Sequence, residues 1–262
     1  MALYGVIADL HGNHEALTAV LAQLDRCGVR QLICLGDIVG YNADSDACAE
    51  QMRSRNALAV AGNHDLISIR RLGFSRCANK VIYSLKQTRR TLAPDTAAYL
   101  GSLPAFHVLE GRFLLVHAGV RDVEQYLTAP RHIAQNAAYL RTDFPGLNAC
   151  FFGHVHVQRI YEVDGEDVRE VPSHGPVTLR PDRLYFINPG SVDAARKAED
   201  KLAEFALFDS TALRVEFRRI AYDDASAEAK AAAGGYRIGP WTDSLYTLRR
   251  RLLHAARRFA AP

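Results

Sequence analysis

The chain has 262 residues, of which 48% are hydrophobic and 23% are charged. This composition is typical of a globular protein and excludes collagen-like, coiled-coil and largely disordered chains. The formal net charge of +3 is too small to require nucleic acid as a partner, so nucleic acid is possible but not required and a small phosphate-bearing anion is expected. The length suits one domain spanning residues 1–262.

Two features of the sequence bear on the cellular compartment. Five cysteines form no C-x-x-C pair, and an odd number suits a reducing compartment better than a disulfide scaffold. The apolar run at residues 3–8 is too short for a signal peptide, and no segment has the roughly 20 consecutive apolar residues that span a bilayer. We therefore predict a cytoplasmic protein with no membrane partner, and the sequence does not indicate its oligomeric state.

The first part of the chain alternates strands with helices. A buried strand is predicted at residues 3–8, and a helix begins at Asn13, beyond which leucine and valine recur every three or four residues. Strands at residues 31–35 and 57–61 follow, with a second helix between them. This arrangement predicts parallel strands whose carboxyl ends meet at one edge of a sheet, where ligands bind in open α/β folds.

The rest of the chain begins with a predicted helical insertion near residues 66–103 and ends with a basic amphipathic helix near residues 241–260. Between them, turn residues such as Asp164-Gly165 separate short apolar runs, which predicts strands joined as hairpins. These strands are predicted at residues 106–109, 113–116, 149–152, 159–163, 168–171, 184–187, 204–208 and 213–220, and a further helix at 131–141.

Five clusters of metal-binding residue types follow the predicted strands. Any one of them alone is weak, because capped turns and surface histidines have the same appearance. Five clusters at five strand ends favour a single site, and oxygen and nitrogen donors without thiolates suit manganese, iron, zinc or a similar ion. Two such ions sharing one carboxylate can be held by the seven candidate ligands Asp9, His11, Asp37, Asn63, His117, His154 and His156.

The order of these motifs, D-x-H, G-D-x-x-G, G-N-H-D, H-A-G and G-H-x-H, resembles that of the calcineurin-like metallophosphoesterase superfamily. Residues 7–13, 36–41 and 188–192 resemble the signatures of its compact bacterial phosphodiesterase-like branch. The resemblance covers roughly residues 3–224. It implies an α/β (α+β) fold with two facing mixed β-sheets flanked by helices, a four-layer αββα metallophosphoesterase sandwich.

The resemblance also implies a role for each motif residue. His64 resembles the catalytic histidine that faces the substrate, although it could instead be a neighbour that only hydrogen-bonds Asp65. Asp65 either orients that imidazole or caps the helix that follows. The implied ligands are Asp9, His11 and His156 for one metal, Asn63, His117 and His154 for the other, and Asp37 as the bridge between them.

Two departures from the family pattern bear on the substrate. Gly40-Tyr41 stands where phosphoprotein phosphatases and dinucleoside polyphosphate hydrolases usually carry an arginine. His117-Ala118-Gly119, in contrast, looks more like those enzymes than like many bacterial phosphodiesterases. Arg121 is a candidate to bind substrate in place of the missing arginine, the alternative being an exposed ion pair with Asp122 or Glu124.

A loop after the predicted strand at 184–187 supplies two more candidates for substrate binding. It reads Asn188-Pro189-Gly190-Ser191 and could cradle an anion. We therefore predict that Asn188 and Ser191 contact substrate.

Together these features predict a dinuclear metal-dependent phosphoesterase that cleaves a phosphodiester or nucleotide-type substrate by in-line attack of a metal hydroxide. The alternative enzyme is a phosphomonoesterase acting on phosphoproteins, or a dinucleoside polyphosphate hydrolase. A metal-dependent binding scaffold is the non-enzymatic alternative. The arginines of the C-terminal helix either draw in nucleotides or RNA, or lie on a helix that packs on the body of the protein.

Overall fold

The structure is a computed structural model that describes residues 2–194 and 200–248. Within these residues two mixed six-stranded β-sheets face each other, and helices cover their outer faces. The predicted four-layer αββα sandwich is confirmed. The strands are β1 (Leu3–Ile7), β2 (Gln31–Cys34), β3 (Leu58–Ala59), β4 (Phe106–Leu109), β5 (Phe113–Val116), β6 (Ala149–Phe151), β7 (Gln158–Asp164), β8 (Asp167–Glu170), β9 (Val177–Thr178), β10 (Leu184–Pro189), β11 (Ala203–Asp209) and β12 (Arg214–Ile220). The helices are α1 (His14–Arg26), α2 (Ser45–Ser54), α3 (Asn63–Ser68), α4 (Asn79–Thr91), α5 (Pro94–Ser102), α6 (Pro130–Asp143) and α7 (Asp224–Ala233).

The first sheet has the strand order β3-β2-β1-β11-β12-β9. Strands β1, β2 and β3 run parallel, as the alternation of strands and helices predicts, and β11 and β12 form the antiparallel part. The inner strand β1 is buried on both faces because α1 covers one face and the second sheet the other. This two-sided burial explains why its sequence is an uninterrupted apolar run.

The second sheet has the strand order β4-β5-β6-β10-β7-β8. Its strands β5, β6 and β10 are parallel, and β7 and β8 form the hairpin predicted around Asp164-Gly165. Helix α6 covers the outer face of this sheet. Each sheet therefore has three neighbouring parallel strands, whose carboxyl ends lie along one edge.

Aromatic side chains fill the space between the sheets. Phe208 of β11 has its ring centroid 4.9 Å from that of Phe113 in β5 and 4.9 Å from that of Phe151 in β6. All three side chains are fully buried. Burial of each side chain contributes about 1.5–3 kcal/mol to the stability of the fold. The packed rings fill the space between the two sheets.

Two details of the strand pattern differ from the prediction. The strand predicted at residues 57–61 is only two residues long, because the amide of Ala61 leaves the sheet to donate to the carbonyl of Pro104. The helix that follows begins at Asn63 and so includes the G-N-H-D motif itself. The short strand β9 was not predicted, since two residues are too few to produce an alternating pattern.

The C-terminal helix is described from residue 240 to residue 248. Asn79 of α4 donates hydrogen bonds to Asp243 and Thr247, which docks these residues on the body of the protein. The remainder of the helix predicted at 241–260, with Arg249, Arg250, Arg257 and Arg258, lies outside the described residues. None of the helices described for residues 2–194 and 200–248 combines the length and the apolarity needed to cross a membrane.

Candidate metal centre

The structure brings all seven predicted ligands together at the edge where the parallel strands of both sheets end. Four of them follow strands of the first sheet, namely Asp9, His11, Asp37 and Asn63, and the other three, His117, His154 and His156, follow β5 and β6 of the second. Each of the seven side chains is no more than 5% exposed. Buried carboxylates and imidazoles at such a density need a compensating partner, because burial of an uncompensated charge is costly.

The backbone at these ligands is unusual. Five of them adopt positive φ angles: Asp9 (56°), His11 (50°), Asp37 (54°), His154 (66°) and His156 (63°). Residues other than glycine rarely adopt this left-handed conformation, which costs roughly 1–2 kcal/mol for each residue. The described residues contain nine such non-glycine positions in all, so the strain is concentrated at the predicted ligands, as it is at functional sites in general.

The first group of ligands consists of Asp9, His11 and His156. The Nε2 atom of His156 lies 3.1 Å from Nε2 of His11 and 3.4 Å from Oδ1 of Asp9. The three ligand atoms lie within 4.8 Å of one another. This is the donor set of one carboxylate oxygen and two imidazole nitrogens that transition metals accept.

The second group is centred on His117. Its Nδ1 donates to the carbonyl of Leu35 at 2.7 Å, so a neutral imidazole carries its lone pair on Nε2. That Nε2 faces Oδ1 of Asn63 at 3.0 Å and Oδ1 of Asp37 at 3.4 Å. With a neutral imidazole none of these three atoms carries a proton, so a cation between them would relieve the repulsion of their lone pairs. The second group therefore fits a metal ion.

Asp37 lies between the two groups. Its Oδ1 is the atom near His117, and its Oδ2 is 3.8 Å from Nε2 of His11 in the first group. The ligand atoms of Asp37, His117 and His154 also lie within 4.8 Å of one another. The two oxygens of this carboxylate are thus placed to serve one ion each.

The electrostatics of the first group depend on its histidines. Burial raises the pKa of the Asp9 carboxyl, but His156 and, further away, His117 and His154 outweigh this effect and lower the pKa to about 2. The backbone amide of His154 also donates to both carboxylate oxygens, at 3.1 and 3.0 Å. Asp9 is therefore ionised and oriented as a ligand.

His64 lies beside the ligands at the start of α3. Its backbone amide donates to Oδ1 of Asp37 at 2.8 Å, and its ring centroid is 4.5 Å from that of His11 and 4.8 Å from that of Tyr41. A Cβ atom on Gly40, whose φ is +123°, would overlap Nδ1 of the His64 ring. The motif G-D-x-x-G therefore needs glycine at its end to leave room for this imidazole.

The carboxylate of Asp65 accepts hydrogen bonds from four backbone amides. Its Oδ2 accepts from the amides of Asp37 and Gly62 at 2.9 Å each, and its Oδ1 accepts from the amides of Ile38 and Val39 at 2.9 and 3.2 Å. Burial raises the pKa of its carboxyl to about 7 against the opposing effect of these bonds. Asp65 caps its helix, the second predicted alternative, and holds the loop that carries Asp37.

Asn188 and Ser191 form hydrogen bonds with the loops that carry the predicted ligands. Both are fully buried. The amide group of Asn188 donates to the carbonyl of Gly153 at 2.7 Å, and the hydroxyl of Ser191 lies 3.0 Å from the carbonyl of Asp9. These contacts position the loops that carry Asp9 and His154, and the contact of the two side chains with substrate stays a prediction.

Arg121 forms an exposed ion pair. Its guanidinium forms two hydrogen bonds with Asp143, at 2.7 and 2.6 Å, and lies over the ring of Tyr139. An exposed ion pair is thus the observed arrangement, although its partner is Asp143 and neither Asp122 nor Glu124 as predicted. The structure shows Arg121 bound to Asp143, and the contact of Arg121 with substrate stays a prediction.

A cavity of about 530 Å³ opens beside the ligands. Asn63, His64 and His154 contribute to its lining, so a bound molecule can reach the centre. Sequence reasoning missed several of its other residues, which lie in loops or at the start of α4 where no periodic pattern marks them. The remaining lining residues are Tyr41, Arg76, Cys77, Ala78, Lys80, Val81, Glu124 and Tyr126.

The chain is similar to several known proteins. A family model described as the calcineurin-like phosphoesterase superfamily domain matches residues 3–212. An uncharacterised protein of Methanocaldococcus jannaschii is 30% identical over 234 residues, which are 87% of this chain and 91% of that protein. The crystal structure of a metallophosphoesterase from Sphaerobacter thermophilus has a TM-score of 0.74 and 30% identity, covering 89% of this chain and 94% of the other. A hypothetical protein of Pyrococcus horikoshii OT3 shares the fold, with a TM-score of 0.70, 17% identity and coverage of 94% and 97%.

The hydrogen bonds of Asp65 predict the effect of replacing it. In Asp65→Asn an amide group replaces one oxygen and faces backbone N–H donors, so we expect the free energy of unfolding to fall by about 1–3 kcal/mol. We also expect weaker metal binding, because the loop of Asp37 loses its support. Denaturant unfolding and calorimetric metal titration measure both, with the exposed helix-start residue Asp95 changed to Asn as the control. If the variant has normal stability and metal binding but a reduced kcat, the result would show instead that Asp65 orients the imidazole of His64.

Proposed function

Because the chain belongs to the calcineurin-like phosphoesterase superfamily, we propose that it is a dinuclear metal-dependent enzyme that hydrolyses a phosphodiester or nucleotide-type substrate. The observation that carries this proposal is the convergence of Nε2 of His117 with an oxygen of Asn63 at 3.0 Å and an oxygen of Asp37 at 3.4 Å, a buried donor set that suits a metal ion. A pair of transition-metal ions such as manganese, iron or zinc would occupy the two ligand groups.

In this proposal the ligands divide between the two ions as the family resemblance implies. Asp37 would bridge the ions, and the remaining side chains would hold one ion each. When bound, such ions activate a water molecule as the nucleophile and neutralise charge on the phosphate oxygens. The first ion would be held by Asp9, His11 and His156, and the second by Asn63, His117 and His154.

His64 is placed to act on the leaving group. It lines the cavity, and its amide bond to Asp37 keeps its ring beside the centre. A protonated imidazole there would donate a proton to the oxygen that departs from phosphorus. The ligand atoms of His11, Asp37 and His64 also lie within 4.8 Å of one another, so metal analysis has to accompany any test of this role.

The surroundings of the centre favour a diester. A monoester carries the greater negative charge, and the position at which related phosphatases place an arginine is occupied by Tyr41, whose ring packs 4.6 Å from that of His11. The ion pair of Arg121 with Asp143 supports the view that Arg121 does not replace that arginine. A phosphomonoesterase or dinucleoside polyphosphate hydrolase is therefore the second candidate. A binding scaffold is less favoured, since a scaffold needs neither the open cavity nor His64 within it.

The chain is proposed to act as a single domain over residues 1–262. The helical insertion near 66–103, which contains α4 and α5, would form one wall of the substrate site. Cys77 and Ala78, just before α4, and Lys80 and Val81 in its first turn line the cavity, which supports this role.

The bridging position of Asp37 predicts that Asp37→Asn loses metal and activity. An amide has one oxygen, so it cannot serve two ions, and we expect a substoichiometric metal content and at least a roughly 100-fold lower kcat. Elemental analysis, hydrolysis of an aryl phosphodiester and circular dichroism are measured together, with the exposed Asp167→Asn as the control. If the variant is folded, binds two metal ions and has normal turnover, the result would show that Asp37 does not bridge the ions.

The missing arginine predicts the preferred ester. We expect kcat/KM to be higher for methyl p-nitrophenyl phosphate than for p-nitrophenyl phosphate, since both release the same phenol but the monoester carries more charge. Arg121→Ala should change neither value, because its guanidinium is held by Asp143. A monoester preference that falls in the Arg121→Ala protein would favour the second candidate.

The position of His64 predicts a dependence on the leaving group. His64→Ala should retain both metals and lose about 10²–10⁴-fold in kcat on esters with an alkyl or ribose leaving group. The loss should be much smaller for p-nitrophenyl esters, because nitrophenolate departs without a proton. The exposed His174→Ala is the control. An equal loss on both kinds of ester would show that His64 positions substrate, and a lost metal would make it a ligand.

A further inference from the structure

The cavity beside the metal centre is larger than a phosphate group requires. Its volume of about 530 Å³ lies within the range of roughly 300–1,000 Å³ that is usual for small-molecule sites. Only three of its lining residues, Asn63, His64 and His154, belong to the centre itself. The rest of the lining must therefore contact a part of the substrate other than the reacting phosphate.

An exposed aromatic side chain forms part of this lining. The ring centroid of Tyr126 lies 4.1 Å from that of His154. The Tyr126 ring therefore packs against a member of the second ligand group. Nevertheless 49% of Tyr126 is exposed. A rigid aromatic surface that faces a cavity provides stacking for a flat ring such as a nucleobase.

The positive charges of the lining are largely offset once Asp122, which contacts Arg76 from outside the lining, is counted. Arg76 forms two hydrogen bonds of 2.8 Å to Asp122 and lies 3.7 Å from the carboxylate of Glu124. Lys80 adds one positive charge, and Glu124, which is 8% exposed, adds a negative one. A chain of several phosphates would need an excess of positive charge here. A neutral group with hydroxyl or N–H donors suits this lining better, because the Glu124 carboxylate accepts hydrogen bonds.

We propose that this cavity binds the nucleoside of a nucleoside phosphodiester, with the base against Tyr126 and a sugar hydroxyl or base N–H donating to Glu124. This assignment rests on the proposed function, since the phosphate has to be bound at the metal centre. It selects a nucleoside ester over a dinucleoside polyphosphate.

Two substrates with the same leaving group isolate the nucleoside. Thymidine 5′-(p-nitrophenyl phosphate) and methyl p-nitrophenyl phosphate are both monoanionic diesters that release p-nitrophenol, and they differ in the nucleoside alone. Base–aromatic stacking corresponds to about 10-fold or more in affinity, so the wild-type protein should have at least a roughly 10-fold higher kcat/KM for the thymidine ester.

Variants of the lining assign this preference to particular side chains. Tyr126→Ala should lower kcat/KM for the thymidine ester by about 10-fold and change that for the methyl ester less than about twofold. Tyr126→Phe keeps the ring and should retain the preference, and Glu124→Gln should weaken it. Metal content is measured in each variant, so that displacement of His154 is recognised.

Equilibrium binding provides a readout that does not depend on turnover. Calorimetry on the metal-loaded protein should show tighter binding of thymidine 5′-monophosphate than of inorganic phosphate. Tyr126→Ala should reduce the affinity for the nucleotide about 10-fold and leave that for phosphate unchanged.

The outcomes separate the two proposals. If the wild-type protein hydrolyses the methyl ester but shows no preference for the thymidine ester, the nucleoside assignment is overturned and the proposed function stands. The same holds if Tyr126→Ala loses the same factor on both esters. If neither ester is hydrolysed with manganese, iron or zinc bound, both proposals are overturned.

Discussion

The position of the Asp37 carboxylate is the constraint on which the rest of the site depends. It must face ligands from both groups, and three contacts hold it in place. The carboxylate of Asp65 accepts a hydrogen bond from the backbone amide of Asp37. The backbone amide of His64 donates a hydrogen bond to the carboxylate of Asp37. Gly62 lies so close that a Cβ atom there would overlap Oδ1 of Asp37. The G-N-H-D motif therefore combines the predicted ligand Asn63 with residues that fix Asp37, the proposed bridge.

The neighbouring loops are joined to this one through the backbone. The amides of Asp9 and His11 donate to the carbonyls of Gly36 and Asp37, at 3.1 and 2.9 Å, so the first two motifs move together. On the other sheet, the amide of Gly153 donates to the carbonyl of His117 at 2.8 Å. Each pair of loops is thus hydrogen-bonded together, and the buried rings of Phe208, Phe113 and Phe151 pack between the two sheets that carry them. Such pre-organisation offsets the strain of the left-handed ligand residues.

The two sides of the site have different chemistry, which bears on how a substrate is chosen. Buried acidic and imidazole groups face the position of the reacting phosphate, whereas the cavity beyond them combines an aromatic ring with balanced charges. An uncharged group attached to the phosphate would therefore be recognised by stacking and hydrogen bonds. The charge of the phosphate would be recognised by the metals and not by an arginine.

The sequence by itself determined the strands, the helices and the order of the metal-binding motifs, because these depend on local patterns. Apolar runs identify strands such as β1 and β2, and a polar residue directly after such a run must lie at the edge of the sheet. The division of the candidate ligands into two groups, one with His11 and one with His117, followed from the family resemblance. The ligand atoms of Asp9, His11 and His156 lie within 4.8 Å of one another, as do those of Asp37, His117 and His154.

Only the tertiary structure decided what the side chains around the ligands contact. Arg121 meets Asp143, which is 22 residues away, and Arg76 meets Asp122 across 46 residues. Asn188 was expected at the substrate but is buried beneath Gly153. Contacts between distant segments leave no periodic trace in the sequence, since they depend on how the two sheets and their loops pack. For this reason the ligands could be predicted, whereas the lining of the cavity could not.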